Sequence, residues 1–274
     1  MRILLANARA GGPVDINTLS RHGMPGGFSR AMFDRYCGLK SSTLSASVVE
    51  RLRPDMYRML AAQATAPLVL KVHDAWSATV RGEPLFPADV TAGVIYVLRN
   101  VLDVAASAAD HWGVDCATAV TRLCDPDLGR ASGRNAMSPG VRQILGSWSS
   151  HIESWVDRSG MPLLLIRYED MIADTEDVLR KVADFQRWDI DRQTLTQAVI
   201  NSHFTNLQES ERASGFREIS SKARTLFFRR GRVNSWRDEL APDLIRRLVD
   251  AHGDMMRRFG YLGDGGYPLE FPDE

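Results

Sequence analysis

The chain predicts an α/β fold with a central parallel sheet flanked by helices, on three observations. Short apolar runs of the kind that fill buried strands recur at Pro67 to His73, Val94 to Leu98 and Leu163 to Ile166. Helical spacing follows the second and third of these runs, and the stretches between are punctuated by Gly and Pro. Strand, helix, strand, helix is the βαβ order from which parallel sheets are built. The 274 residues are 44% hydrophobic and 25% charged, which suits a single domain spanning 1–274. Lys plus Arg and Asp plus Glu balance at 34 each, so no net field favours nucleic acid or an anionic membrane, and any anion site must be local.

Taken in order, Met1 to Ala10 reads as the tail of a helix that breaks at Gly11, Gly12 and Pro13. Residues 13–45 are rich in Gly, Pro and Ser and read as connecting structure. Val48 to Ala62 has helical spacing, with Pro54 at a first turn or a kink. In the strand at 67–73, the two-residue period puts Lys71 and His73 on one face at the carboxyl end. A histidine there can take a proton from an attacking hydroxyl, and a nearby ammonium can neutralise charge on a leaving phosphate; the plainer alternative is a hydrogen-bonded strand end with a solvated lysine.

Val94 to Leu98 predicts a strand buried on both faces, followed by a helix with Asp103 as N-cap. Arg99 sits at the junction, where open α/β sheets present groups to ligands. Arg99 and Ser107, the latter at the helix opening, suit a shared anion; the alternative is an arginine capping a strand end and a serine tolerated in a helix. Residues 113–140, with Pro126, Gly129, Gly133, Pro139 and Gly140, read as loop. Ile144 to Val156 predicts a helix with Trp148, Ile152 and Trp155 in the core, and Asp174 and Thr175 cap a helix carrying Val178, Val182 and Phe185. Residues 188–224 read as helical in pieces, and Asp243 to Phe259 as a last helix. Between them, Arg229, Arg230, Arg232 and Arg237 cluster around Gly231, the local basic concentration a globally neutral protein needs for a phosphorylated ligand; a solvated arginine face is the alternative.

Three dispersed cysteines and six histidines match no metal spacing, so no metal is expected and a reducing cytoplasm is. No run has the length of a membrane span.

The segments KVH, YVLRNVLDVAASAADHWG, LLIRYEDM and FFRRGRVNSW, in that order, resemble the soluble sulfotransferases that use 3′-phosphoadenosine 5′-phosphosulfate, including their bacterial branch. The resemblance covers roughly residues 1–262 and implies a P-loop-NTPase-like three-layer sandwich. It further implies transfer of a sulfonate group to a hydroxyl or amine of a small-molecule acceptor. By this resemblance His73 is the general base and Lys71 lies beside the transferring sulfonate. Arg99 and Ser107 hold the 3′-phosphate; Tyr168, Ser202 and Phe204 surround the nucleotide; and Arg229, Arg230 and Gly231 match an Arg-Lys-Gly element that closes over the phosphate. These groups are expected to converge on one nucleotide. Arginine replaces lysine at 230, and the family's later Gly-Asp pair reads Asn234 and Ser235.

The family's opening strand and its Tyr-Pro-Lys-Ser-Gly loop are absent from the sequence, and MRILLANARAGG resembles the helix that follows them. The expectation is therefore a truncated product lacking the first strand, with impaired activity, since losing one preorganised donor typically costs about 10² to 10³ in rate. A non-catalytic remnant that binds nucleotide is the alternative. A P-loop kinase is disfavoured because no G-x-x-x-x-G-K-[ST] segment occurs. No nucleic-acid or membrane partner is expected, and a homodimer is left open.

Overall fold

The computed structural model describes residues 1–130 and 138–272; Gly133, read above as part of a loop, lies outside the described residues. The helices and strands run α1 (Arg2–Ala10), α2 (Arg30–Cys37), α3 (Ala46–Gln63), β1 (Val94–Leu98), α4 (Val101–Trp112), α5 (Cys116–Leu123), β2 (Gly129–Arg130), β3 (Gln143–Ile144) and α6 (Trp148–Glu153). They continue with β4 (Leu163–Arg167), α7 (Tyr168–Ala173), α8 (Thr175–Gln186), α9 (Arg192–Asn201), α10 (Phe204–Ser214), α11 (Trp236–Glu239) and α12 (Pro242–Arg258). The chain forms two compact units: Met1–His22, Ile95–Cys124 and Leu164–Glu274 make the first, Gly23–Val94 and Asp125–Leu163 the second.

In the first unit β1 pairs with β4, and helices surround them. Alanines at 105, 106 and 109 are fully or almost fully buried on α4, where their small side chains let α5, α11 and α12 approach closely. Leu179 and Val182 of α8 and Leu248 and Met256 of α12 complete this core. The helix α1 ends at Gly11 in the left-handed conformation, as its Gly-Gly-Pro break predicts, and packs on α9. One expectation fails at β1: Val97 is 44% exposed, so the strand is not buried on both faces.

The second unit is built around α3 with α2 beside it, and the Tyr57, Phe86 and Trp155 rings stack in series at 5.2 and 5.3 Å. Pro54 sits inside α3 without ending it. Here α6 runs into a π-helical turn, Ser154–Arg158, that carries Trp155. β2 and β3 form a short antiparallel pair with Gly129 opposite Ile144.

The predicted strand at 67–73 is extended chain with a single parallel bridge, Gly26 to Lys71. Its partner segment explains why. Val69 and Lys71 donate to the carbonyls of Gly23 and Pro25, and Gly27 donates to Lys71, but Pro25 has no N–H and Gly26 and Gly27 add no side chains to pack. Two helices, α2 and α5, lie in stretches read as loop. Each is a short helix opened by a side-chain N-cap, Ser29 and Asp115 respectively, and the flanking glycines masked that signal. The helix expected from Ile144 begins at Trp148, capped by Ser147.

Candidate functional site

In the first unit the arginine-rich segment is gripped at both ends by buried carboxylates. Upstream, Glu211 of α10 accepts the backbone N–H groups of Phe227 and Phe228 at 2.7 and 2.9 Å. Downstream, Asp103 of α4 accepts those of Asn234 and Trp236 at 3.0 and 3.1 Å. The side chain of Asp103 is therefore not the N-cap expected of it. Asn100 caps α4, its side chain accepting the Leu102 N–H, and Asp103 turns inward to hold the distant loop. Burial pushes the Asp103 carboxyl above its ordinary value, opposed by the Arg99 guanidinium and the backbone donors.

Between these grips the chain presents its cations. Arg99 stacks its guanidinium over the Tyr168 ring, 4.2 Å from the centroid, donates to the Arg232 carbonyl at 3.0 Å and lies 3.7 Å from Asp103. The structure thus joins Arg99, Tyr168 and the arginine segment in one cluster. Burial raises the Tyr168 phenol above its usual range, with Arg99 acting against the rise. The next residue, Glu169, accepts from the Asn100 N–H at 3.0 Å and the Tyr261 hydroxyl at 2.8 Å, tying the β1–α4 junction to the end of β4.

Arg229 makes a two-point pair with Glu239 at 2.6 and 3.1 Å; Arg230 lies 3.4 Å from Glu239 and 3.7 Å from Asp238; Arg232 reaches Asp238 at 2.7 Å. Gly231 has φ +64, and a Cβ there would collide with the Phe204 ring, so glycine is required both by conformation and by the aromatic packed against it. Asn234 also has positive φ, at 54, where asparagine is the side chain best suited to stand in for glycine. Ser202 accepts from the Asn7 amide at 2.8 Å, two residues before Phe204. Ser107 does not sit at the helix opening: it is the seventh residue of α4, on the exposed surface.

In the second unit Lys71 and His73 are both half-buried. The His73 ring lies 5.4 Å from the Phe28 ring, and its carbonyl faces His151 Nε2 at 3.2 Å. Burial pushes the His151 imidazole below its ordinary value, so the ring is neutral at neutral pH and Nε2–H donates to that carbonyl.

Sequence reasoning missed Asp103, Glu211 and Glu239 as the groups that hold and neutralise the arginine segment, and Glu169 as the tie between the β1–α4 junction and the end of β4. Only Asp238 and Glu239 carried a signal, an acidic pair within ten residues of the arginine cluster. The Arg99 guanidinium lies over the Tyr168 ring, and the glycine of the arginine segment packs against the Phe204 ring, so cations and aromatic faces adjoin in both places. Among the described residues no group of three or more His, Cys, Asp or Glu is placed to hold a metal ion, and no helix is long and apolar enough to cross a membrane.

A family model described as a sulfotransferase domain matches residues 84–260. Mouse Sulfotransferase 1A1 is 25% identical over 180 residues, 64% of this chain and 58% of that protein; rat Sulfotransferase 2A1 is 29% identical over 153 residues, 54% and 50% of the two. The chain thus spans about half the length of the curated relatives it matches. Among solved structures, mouse sulfotransferase SULT7A1 complexed with PAP superposes with a TM-score of 0.52 at 18% identity, over 78% of this chain and 73% of that one. Retinol dehydratase in complex with androsterone and the inactive cofactor PAP gives 0.53 at 18%, over 82% and 61%. These superpositions carry the fold, a P-loop-like parallel sheet flanked by helices. With more than half of its length matched by the domain model, the chain belongs to the sulfotransferase family.

Proposed function

We propose that this chain, read as one sulfotransferase-like domain over 1–274, transfers a sulfonate group from 3′-phosphoadenosine 5′-phosphosulfate to a hydroxyl or amine of a small-molecule acceptor. The observation that carries the proposal is the cluster of Arg99, Tyr168 and the arginine segment, in a member of a family whose neighbours have been solved with PAP. Arg99 and Ser107 take the 3′-phosphate. Arg229, Arg230 and Gly231 close over it, and Tyr168, Ser202 and Phe204 surround the nucleotide. On the acceptor side His73 receives the hydroxyl proton, the new O–S bond forms, and the S–O bond to the phosphate breaks to release adenosine 3′,5′-bisphosphate. Lys71 stands beside the moving sulfonate. Positioning and charge stabilisation supply the rate, as in other transfers of this kind. A cytoplasmic setting belongs to the same proposal, supported by three free, half-buried thiols.

Calorimetry with adenosine 3′,5′-bisphosphate, followed by transfer of labelled sulfonate to a phenol or alcohol, tests the reading. Binding together with transfer is expected. Binding without transfer selects the alternative of a non-catalytic nucleotide binder; no binding ends both. His73→Ala should lower turnover by about 10² to 10⁴ while bisphosphate affinity stays within about twofold. Arg99→Ala should do the reverse.

A further inference from the structure

We propose that Asp74, through its buried pair with Arg53, is the positioning residue that aims His73; the proposal rests on the reading of His73 as the base. Asp74 follows His73 in the chain, and both its carboxylate and its backbone are held. Arg53 Nη1 and Nη2 reach Asp74 Oδ1 and Oδ2 at 2.7 and 2.9 Å, and Gln143 Nε2 reaches Oδ2 at 3.1 Å. The Arg53 Nη2 also meets the Tyr57 hydroxyl at 3.0 Å, which in turn donates to the Gly27 carbonyl at 2.9 Å. The Trp155 indole donates to the Asp74 carbonyl at 2.9 Å, and His151 to the His73 carbonyl. Beyond them, the Ala75 N–H donates to Ile144 at 2.8 Å and the Trp76 N–H to Ser154 Oγ at 2.9 Å.

This segment has no regular ladder to stiffen it, as the single bridge at Lys71 shows. Side chains do that work instead. Because Cα–Cβ direction follows backbone torsion, pinning the carbonyls of 73 and 74 and the carboxylate of 74 fixes the direction of the His73 Cα–Cβ bond, and the Phe28 ring 5.4 Å away narrows the ring's remaining rotation. Arg53 and Asp74 are both 1% exposed, and a buried ion pair is no more stabilising than a well-packed apolar pair of similar volume. What such a pair supplies that an apolar one does not is a fixed orientation: two parallel hydrogen bonds admit one geometry. A general base needs that, since it must lie within about 2.6 to 3.2 Å of the proton it takes.

The test is histidine-selective NMR of the full chain, comparing the wild type with Asp74→Asn and with Trp155→Phe, which keeps an aromatic side chain and removes the donor to the Asp74 carbonyl along with part of the indole's packing volume. The His73 signal is assigned by its loss in His73→Gln, and cooperative urea unfolding reports the fold. A single sharp His73 signal in the wild type that broadens or splits in a cooperatively folded variant is the expected result. In a transfer assay kcat then falls by about tenfold to a hundredfold with KM for the donor within about twofold. A His73 signal superimposing on the wild type in both variants overturns the proposal, as does loss of cooperative folding in both, which makes the network a general structural element. The NMR change in a protein with no transfer activity supports the positioning role while sinking the sulfonate-transfer reading, so the two fail separately.

Discussion

Two arginine–carboxylate networks in this molecule use the same chemistry in opposite surroundings. In the second unit, Arg53 and Asp74 are 1% exposed each, with Tyr57 and Gln143 satisfying further hydrogen-bonding groups. In the first unit, Arg229 and Glu239 are 21% and 16% exposed, and Arg232 and Asp238 pair at 47% and 65%. The buried pair cannot rearrange without stranding a charge in a low-dielectric interior. The outer pairs exchange partners with water at lower cost, and under the proposed function a phosphate would compete there with Asp238 and Glu239. Position therefore separates a buried frame from the solvent-facing pairs that the proposed function makes a loading site, although both are written with arginine and a carboxylate.

The largest effect should come from breaking the frame. Arg53→Met leaves Asp74 charged and unpaired, and is expected to destabilise the protein by about 3 to 5 kcal/mol, whereas Arg53→Met with Asp74→Leu should recover most of the loss. Urea unfolding of the three proteins measures this; equal destabilisation by single and double variants would show that the charge is not what makes the site costly to break. For Arg53 itself, burial favours losing the proton, yet Tyr57 and Asp74 hold the guanidinium protonated well above its ordinary range.

His252 extends the contrast to a buried group kept neutral. Burial lowers its pKa from 6.5 to about 4. Below pH 6.5 the unfolded chain takes up a proton that the folded one refuses, so stability is full above that value and falls as pH drops toward 4. The drop should be at most roughly 3 kcal/mol. Urea midpoints between pH 7 and pH 4 should show this slope, and His252→Gln should flatten it; a slope unchanged by the substitution would assign it to other groups.

The smallest stability effect is expected at the loading site. Glu239→Gln removes the partner of Arg229 and should change stability by no more than about 1 kcal/mol, because the pair is partly solvated. It should tighten adenosine 3′,5′-bisphosphate binding by about threefold to tenfold at low salt, since one competitor for the guanidinium is gone. Added salt should erase that gain. Unchanged affinity in calorimetry would mean that Glu239 does not oppose the ligand, and the contrast between frame and loading site would lose its second half.

What could be read from the chain alone divides along similar lines. The helices α1, α3, α4, α8 and α12 declare themselves through spacing and breakers, and Arg229 to Arg232 through local crowding of one charge. Asp103 did not, because its partners Asn234 and Trp236 lie 131 and 133 residues away, and an acidic residue in a first turn already has a local explanation as a cap. Arg53 and Asp74 look like any helical arginine and loop aspartate until folding removes them from water. The extended run at 67–73 has the composition of a strand, but strand pairing is a property of two segments, and Pro25 in the other one interrupts it.

The π-helical turn at Ser154–Arg158 leads to one further consequence. A widening of this kind is what one inserted residue leaves behind in an α-helix. The Trp155 indole and the Ser154 hydroxyl, which reach the backbone at 74 and 76, both sit at its start. Kin with one residue fewer between 148 and 158 would turn other side chains toward that backbone. Chain length at this point, compared across the family with the identity of the residue after the histidine, would then show whether the two features occur together.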